Sequence, residues 1–295
     1  MILEKFTIDA VETGSFALDG GAMFGIVPKP VWSKAYHPGD EMNRIPLAAR
    51  LLLVRWEDHV LLIDVGNGTK MDEKFCRIYG IDREKSSIDY ALRPFGLKAE
   101  DVTDVILTHL HFDHAGGATT KENGRVAPTC PNARYYVQKD HLESVKSPSP
   151  KDAASFIPDN YLPLIADGLV ELVEGEGEIY PGIVVKPLFG HTQAMQVVII
   201  EDGGEKLLYC ADLIPTAAHI HLPFIMAYDN EPLITLKEKE SILVRAREEN
   251  WLLVFAHDAF RQAAKIGLNN KGGFEYREKI ELTPSGPGTA MLKAK

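Results

Sequence analysis

Short apolar runs punctuated by polar turns dominate the chain. Residues 50–56 (RLLLVRW) and 59–64 (HVLLID) flank Glu57-Asp58, a spacing that predicts a β-hairpin feeding a sheet. The second run empties into Asp64-Val65-Gly66-Asn67-Gly68, whose glycines predict a tight loop at the sheet edge. Residues 87–95 carry a helical pattern that stops at Gly96. After it, Val105-Ile106-Leu107 predicts a buried strand running into Thr108-His109-Leu110-His111-Phe112-Asp113-His114-Ala115-Gly116-Gly117. Further strands are predicted at 134–138, 169–173, 183–187, 195–200 and 206–210, the last two joined by Asp202-Gly203-Gly204. A helix is predicted over 235–249. Thr235 and Glu238 have capping-box spacing there, and Leu236, Ile242, Leu243 and Ala246 form its apolar face. Residues 251–256 predict one more buried strand, ending at His257.

No repeat, low-complexity tract or long linker interrupts this pattern. The Pro-rich stretch at 147–150 and the tail beyond Pro284 read as surface loops. One domain over residues 1–295 is the simplest organisation, with an N-terminal extension, residues 1–49, covering the site. The 295 residues are 45% apolar, enough for a substantial core. The formal net charge of −10 and the lack of a Lys/Arg run argue against a nucleic-acid partner. The first residues lack a secretory apolar stretch, and nowhere do about 18 apolar residues run together, so no membrane association and a cytoplasmic location are expected. Cys76, Cys130 and Cys210 lie far apart and in no CxxC spacing, as buried thiols would.

Residues 109–114 hold three histidines and an aspartate directly after an apolar strand. Imidazole and carboxylate suit zinc, and alternate residues of extended backbone point the same way, so His109 and His111 can grip one ion together. Asp113 and His114 then face a second position. A loop of ordinary histidines would bring rings together that repel once protonated.

T-H-L-H-F-D-H-A-G-G resembles the H-x-H-x-D-H motif of the metallo-β-lactamase superfamily, and further landmarks of that family follow in order. Asp64 matches the aspartate at a strand end that supports the site from behind the ligands. Gly190-His191-Thr192 matches G-H-[ST], Asp212 the metal-bridging aspartate, and His257 the final ligand. The resemblance implies an αβ/βα sandwich, two mixed β-sheets face to face with helices outside. It also implies two zinc ions, with manganese, cobalt or iron able to substitute. One ion would be held by His109, His111 and His191, the other by Asp113, His114 and His257, with Asp212 between them and a bridging hydroxide as nucleophile.

Within the superfamily, Asp212 stands where common β-lactamases place a cysteine, and His111 where flavodiiron proteins place a glutamate. The long N-terminal lead, with Gly20-Gly21-Ala22-Met23-Phe24, and the stretches Asp212-Leu213-Ile214-Pro215 and Met226-Ala227-Tyr228-Asp229 resemble quorum-quenching lactonases. Methyl-parathion-hydrolase-like esterases share part of this pattern. The implied activity is the opening of lactone rings, N-acyl homoserine lactones foremost, with Asp113 passing a proton to the departing oxygen. A phosphotriesterase or aryl esterase on the same metals is the alternative, and a mononuclear iron sulfur dioxygenase a farther one. The partner is then a small lactone or ester, and a homodimer is compatible with this reading. Pro215 occupies the position where known lactonases carry a substrate-contacting tyrosine, so His219 or Tyr228 is the candidate replacement donor. Met23, Phe24, Phe224 and Met226 are candidates to line an acyl pocket. His37, His59 and His141 match no motif and read as surface or packing residues.

Overall fold

A run as uniformly apolar as RLLLVRW needs cover on both sides of its strand, and the architecture supplies it. The computed structural model describes residues 1–282; the tail beyond Pro284 lies outside them. The chain lays down β1 (Thr7–Asp19), β2 (Arg44–Trp56), β3 (His59–Ile63) and β4 (Asp104–Ile106). A small hairpin of β5 (Thr119–Glu122) and β6 (Arg125–Pro128) follows, then β7 (Arg134–Gln138) and β8 (Val170–Val173). The second half adds β9 (Gly177–Tyr180), β10 (Ile183–Leu188), β11 (Met195–Asp202), β12 (Glu205–Tyr209), β13 (Leu252–Val254), β14 (Ala263–Leu268) and β15 (Phe274–Ile280). These form a six-stranded sheet, β1-β2-β3-β4-β7-β8, and a seven-stranded sheet, β15-β14-β13-β12-β11-β10-β9. Both are mixed: β3/β4, β4/β7, β7/β8 and β12/β13 pair in parallel, and the other neighbours antiparallel.

The helices are α1 (Gly20–Phe24), α2 (Lys29–Ala35), α3 (Glu73–Tyr79), α4 (Ile88–Leu92), α5 (Phe112–Ala115), α6 (Lys139–Val145), α7 (Leu162–Ala166) and α8 (Pro232–Glu248). Leu52 and Val54 of β2 join a core shared with Val197, Ile199 and Leu208 of the other sheet. Leu51 and Leu53 face the opposite way, into a layer with Ile88 and Leu92 of α4, Leu142 of α6 and Leu164 of α7. Beyond the second sheet α8 contributes Ile242, Leu243 and Ala246. The architecture is the αβ/βα sandwich the sequence implied.

The hairpin turns at Glu57, with Trp56 paired to His59, and β11 turns into β12 through Gly203 and Gly204 with Asp202 opposite Glu205. Residues 147–150 form a largely exposed loop, and the three cysteines are buried. The structure adds strands that the sequence reading did not name, β1, β5, β6, β9, β14 and β15 among them, and it moves the start of one helix. The last long helix begins at Pro232, because proline suits the first helical turn, so Thr235 lies inside it and does not cap it. Its hydroxyl is buried without a partner, and Glu238 instead accepts from the N–H groups of Phe189 and Gly190. The long strand β1 was not expected, since its charges obscure the pattern. They are matched across the sheet, Asp9 by Arg55 at 2.8 Å and Glu12 by Arg50 at 2.7 Å.

β3, β4, β10, β12 and β13 all end at one edge, and their loops carry every predicted ligand. Short loops on buried strands hold side chains with little freedom. Among the described residues no helix is long and apolar enough to cross a membrane.

Candidate metal centre

After β4 the chain reaches His109 and then His111, whose backbone is extended, and α5 follows with Asp113 and His114. A Cβ on Gly116 or Gly117 would strike the carbonyl oxygens of Asn67 and Val65, so these glycines let the two strand-end loops pack backbone to backbone. Non-glycine residues hold left-handed backbone here, Asp64 at φ 63°, Ala194, after His191, at φ 54° and Ala211, beside Asp212, at φ 45°. Such conformations cost about 1–3 kcal/mol each and persist where surrounding structure fixes them.

The loops bring two groups of donors together. His109, His111, His191 and Asp212 form one, and Asp113, His114, Asp212 and His257 the other, with the ligand atoms of each group within 4.8 Å of one another. Asp212 belongs to both, and its two oxygens face different groups. Oδ2 lies 3.1 Å from His191 Nε2 and 3.8 Å from His109 Nε2, whereas Oδ1 lies 3.2 Å from His114 Nε2 and 3.0 Å from His257 Nε2. Asp113 Oδ2 stands 3.5 Å from His257 Nε2.

This donor set fits two cations. Nε2 of His109 and Oδ1 of Asp212 are buried yet make no hydrogen bond, and His111 turns its Nδ1 to within 3.3 Å of His191 Nε2, a costly crowding of acceptors unless a cation completes it. Burial and mutual repulsion hold His109 and His111 well below the ordinary imidazole range, so their rings are neutral, as ligands must be. Burial also opposes charging of His191 and His114, but Asp212 and Asp229 carry His191 up to about 9, and Asp212, Asp64 and Asp113 carry His114 well above its usual value. The carboxylate field that favours an imidazolium favours a divalent ion equally.

Behind the rings, other side chains fix their orientation. Asp64 Oδ2 is 2.8 Å from His114 Nδ1 and accepts from Thr108 Oγ1, while Oδ1 accepts from the Thr108 N–H. Asp229 Oδ1 is 2.8 Å from His191 Nδ1, and the Ala48 carbonyl 2.9 Å from His257 Nδ1. A partner on the second ring nitrogen sets the tautomer and aims Nε2 inward. Sequence reasoning missed Asp229, although it sits in the quoted Met226-Ala227-Tyr228-Asp229. It also left His141 without a site role. His141 is buried, accepts from the Leu110 N–H between two candidate ligands and meets the Gln193 carbonyl, which ties the loops of His111 and His191 together.

A cavity of about 150 Å³ opens onto this cluster, lined among others by His111, Asp113, Tyr79, Met23, Met226 and Tyr228. Phe24 and Phe224 do not line it; they stand behind, ring against ring. His219 is also withdrawn from the cavity. Its Nδ1 meets Thr216 Oγ1 and its Nε2 the Met23 carbonyl, both at 2.8 Å, its ring stacks on Phe24, and burial depresses it to about 3. Of the two candidate donors, Tyr228 alone lines the cavity. Met226 and Ala227 also border a second, largely apolar groove of about 830 Å³.

Residues 46–257 match the family model of the metallo-beta-lactamase superfamily. A probable metal-dependent hydrolase from Staphylococcus aureus is 31% identical, with a TM-score of 0.85 over 95% of this chain and 100% of its own. An N-acyl homoserine lactonase from Bacillus cereus is 26% identical over 75% of this chain and 84% of its length. A dizinc quorum-quenching lactonase, solved with the product N-hexanoyl-L-homoserine, shares the fold at 21% identity and a TM-score of 0.79 over 95% of this chain and 96% of its own. The chain belongs to the metallo-beta-lactamase superfamily and is a metal-dependent hydrolase.

Proposed function

We propose that this hydrolase opens lactone rings, N-acyl homoserine lactones foremost, on a pair of zinc ions, and so silences acyl-lactone signals. The observation that carries the two-ion reading is Asp212, whose oxygens face separate histidine groups as a bridging carboxylate must. When bound, two divalent ions would lower the pKa of water and polarise the ester carbonyl. His109, His111 and His191 would hold one, and Asp113, His114 and His257 the other.

The remaining work falls to the chain. Hydrolysis forms a bond from a water oxygen to the acyl carbon, breaks the ring C–O bond and delivers the water proton to the departing alkoxide. Asp113 lines the cavity and in this reading carries that proton. Tyr228, half-buried on the cavity wall, supplies the hydroxyl that Pro215 cannot. In this reading the whole chain works as one domain, residues 1–49 contributing Leu18 and Met23 to the wall.

The cavity holds a small ring but no long tail, and the apolar groove that continues past Met226 and Ala227 gives an acyl chain somewhere to lie. This favours acyl lactones over compact aryl phosphotriesters. A lactone panel on zinc-reconstituted protein, followed by acid release, tests the reading beside a paraoxon-like substrate. Turnover of the phosphotriester with inert lactones would install the esterase in its place.

A further inference from the structure

The cavity wall contains one lysine, Lys151, whose cationic head does not point at substrate space. Its ammonium donates to the Tyr228 carbonyl at 2.8 Å, the Asp229 carbonyl at 3.0 Å and Asn230 Oδ1 at 3.3 Å, so all three N–H donors are engaged. The next residue, Asp152, accepts from the Asn230 amide. Two consecutive side chains of one surface loop thus grip three consecutive residues of another.

What they grip is the support of a candidate ligand. Asp229 holds His191 by its Nδ1, and Asn230 N–H donates to the His191 carbonyl at 3.1 Å. The other end of the same loop also reaches the cluster, where Phe156 pairs with the His111 backbone and lays its ring 4.7 Å from the imidazole. His111 and His191 belong to the same donor group. We infer that Lys151 is a positioning residue: it clamps the backbone on either side of the Asp229 side chain and so holds the Asp229–His191 pair, and with it one metal position, in register. The loop of residues 151–156 acts as a strap across that half of the centre. The inference rests on the metal centre and is independent of which ester is hydrolysed.

Lys151 is exposed, so replacing it leaves the core untouched. Zinc affinities of the two positions, read by competition with a chromophoric chelator, test it without any substrate. Replacing a group that orients a ligand costs roughly 10–100-fold in metal affinity, and a residue one step further out should lie near the lower end. Lys151→Met is expected to weaken one of the two ions about tenfold and leave the other unchanged, whereas Lys151→Arg, which keeps a multidentate donor, stays within about twofold of the parent. The d–d spectrum of cobalt-loaded Lys151→Met should change, and Lys151→Arg should restore it. In an Asp229→Asn background, Lys151→Met should add nothing, since the route runs through Asp229. Parental affinity for both ions in Lys151→Met, equal weakening of both, or full additivity with Asp229→Asn would each overturn the inference.

Discussion

Asp212→Ala removes the one carboxylate shared by both donor groups, and its effect can be worked from the ligand count. Each group offers four donor residues, and Asp212 is one of the four in both. Structural zinc held by four protein ligands is bound with roughly 10–16 kcal/mol of apparent free energy, which spread evenly gives about 2.5–4 kcal/mol per donor. At 1.4 kcal/mol per decade, each ion should weaken by about 10²–10³. Asp212→Asn retains one carbonyl oxygen and should weaken one ion much more than the other. The assay is chelator competition on the purified chain, with elemental analysis after dialysis against micromolar zinc. The expected result is loss of at least one of two ions together with most lactone turnover. Two ions held at parental affinity would refute the shared-carboxylate geometry.

Three further outcomes follow from the same geometry. Tyr228→Phe should lower kcat on a six-carbon acyl lactone by about 10²–10³ with unchanged zinc content, the cost of losing a donor to a developing oxyanion; turnover within threefold would remove Tyr228 from that role. His219→Ala should act on stability, by about 3 kcal/mol in denaturant melts, because it empties a buried ring site and strands the partners of both nitrogens. Its folded fraction should keep near-parental kcat. Lys206, Trp251 and Arg245 hold Glu249 down to about 2, so its stabilising contribution is present above the unfolded carboxylate value of about 4.3 and lost as pH falls toward 2. The Tm gap between parent and Glu249→Gln should therefore close between pH 5 and 2, and a gap that does not change with pH would show that the ionised carboxylate is not what stabilises.

The uniform apolar runs at 50–56, 105–107 and 251–256 were legible because strands covered on both faces need no alternation. β1 was not, because what makes Asp9 and Glu12 tolerable inside a sheet is a pair of arginines about 40 residues away in β2, and no local window contains both. The Thr235–Glu238 spacing misled for a related reason. Glu238 does cap backbone N–H groups, but those of Phe189 and Gly190 beside His191, a partnership only tertiary packing reveals.

The candidate site divides the same way. Ligands stood out because several histidines packed into one strand-end loop have few explanations besides a metal, whereas the residues that orient them are ordinary in isolation. Asp229, His141 and Lys151 gain meaning only through what they touch: a ring nitrogen, a backbone N–H between two ligands, a pair of carbonyls. The physical demand behind both sets is one demand. A cluster of buried imidazoles and carboxylates is steadied by partners on its outer ring nitrogens and by a cation among its inner ones. Asp64 and Asp229 and the carbonyl of Ala48 meet the first condition for His114, His191 and His257. The buried, unpartnered Nε2 of His109, and the Nδ1 of His111 facing His191 Nε2 at 3.3 Å, state the second. Left-handed backbone at Asp64 and Ala211 forms the turns that set Asp64 behind His114 and Asp212 between the two donor groups.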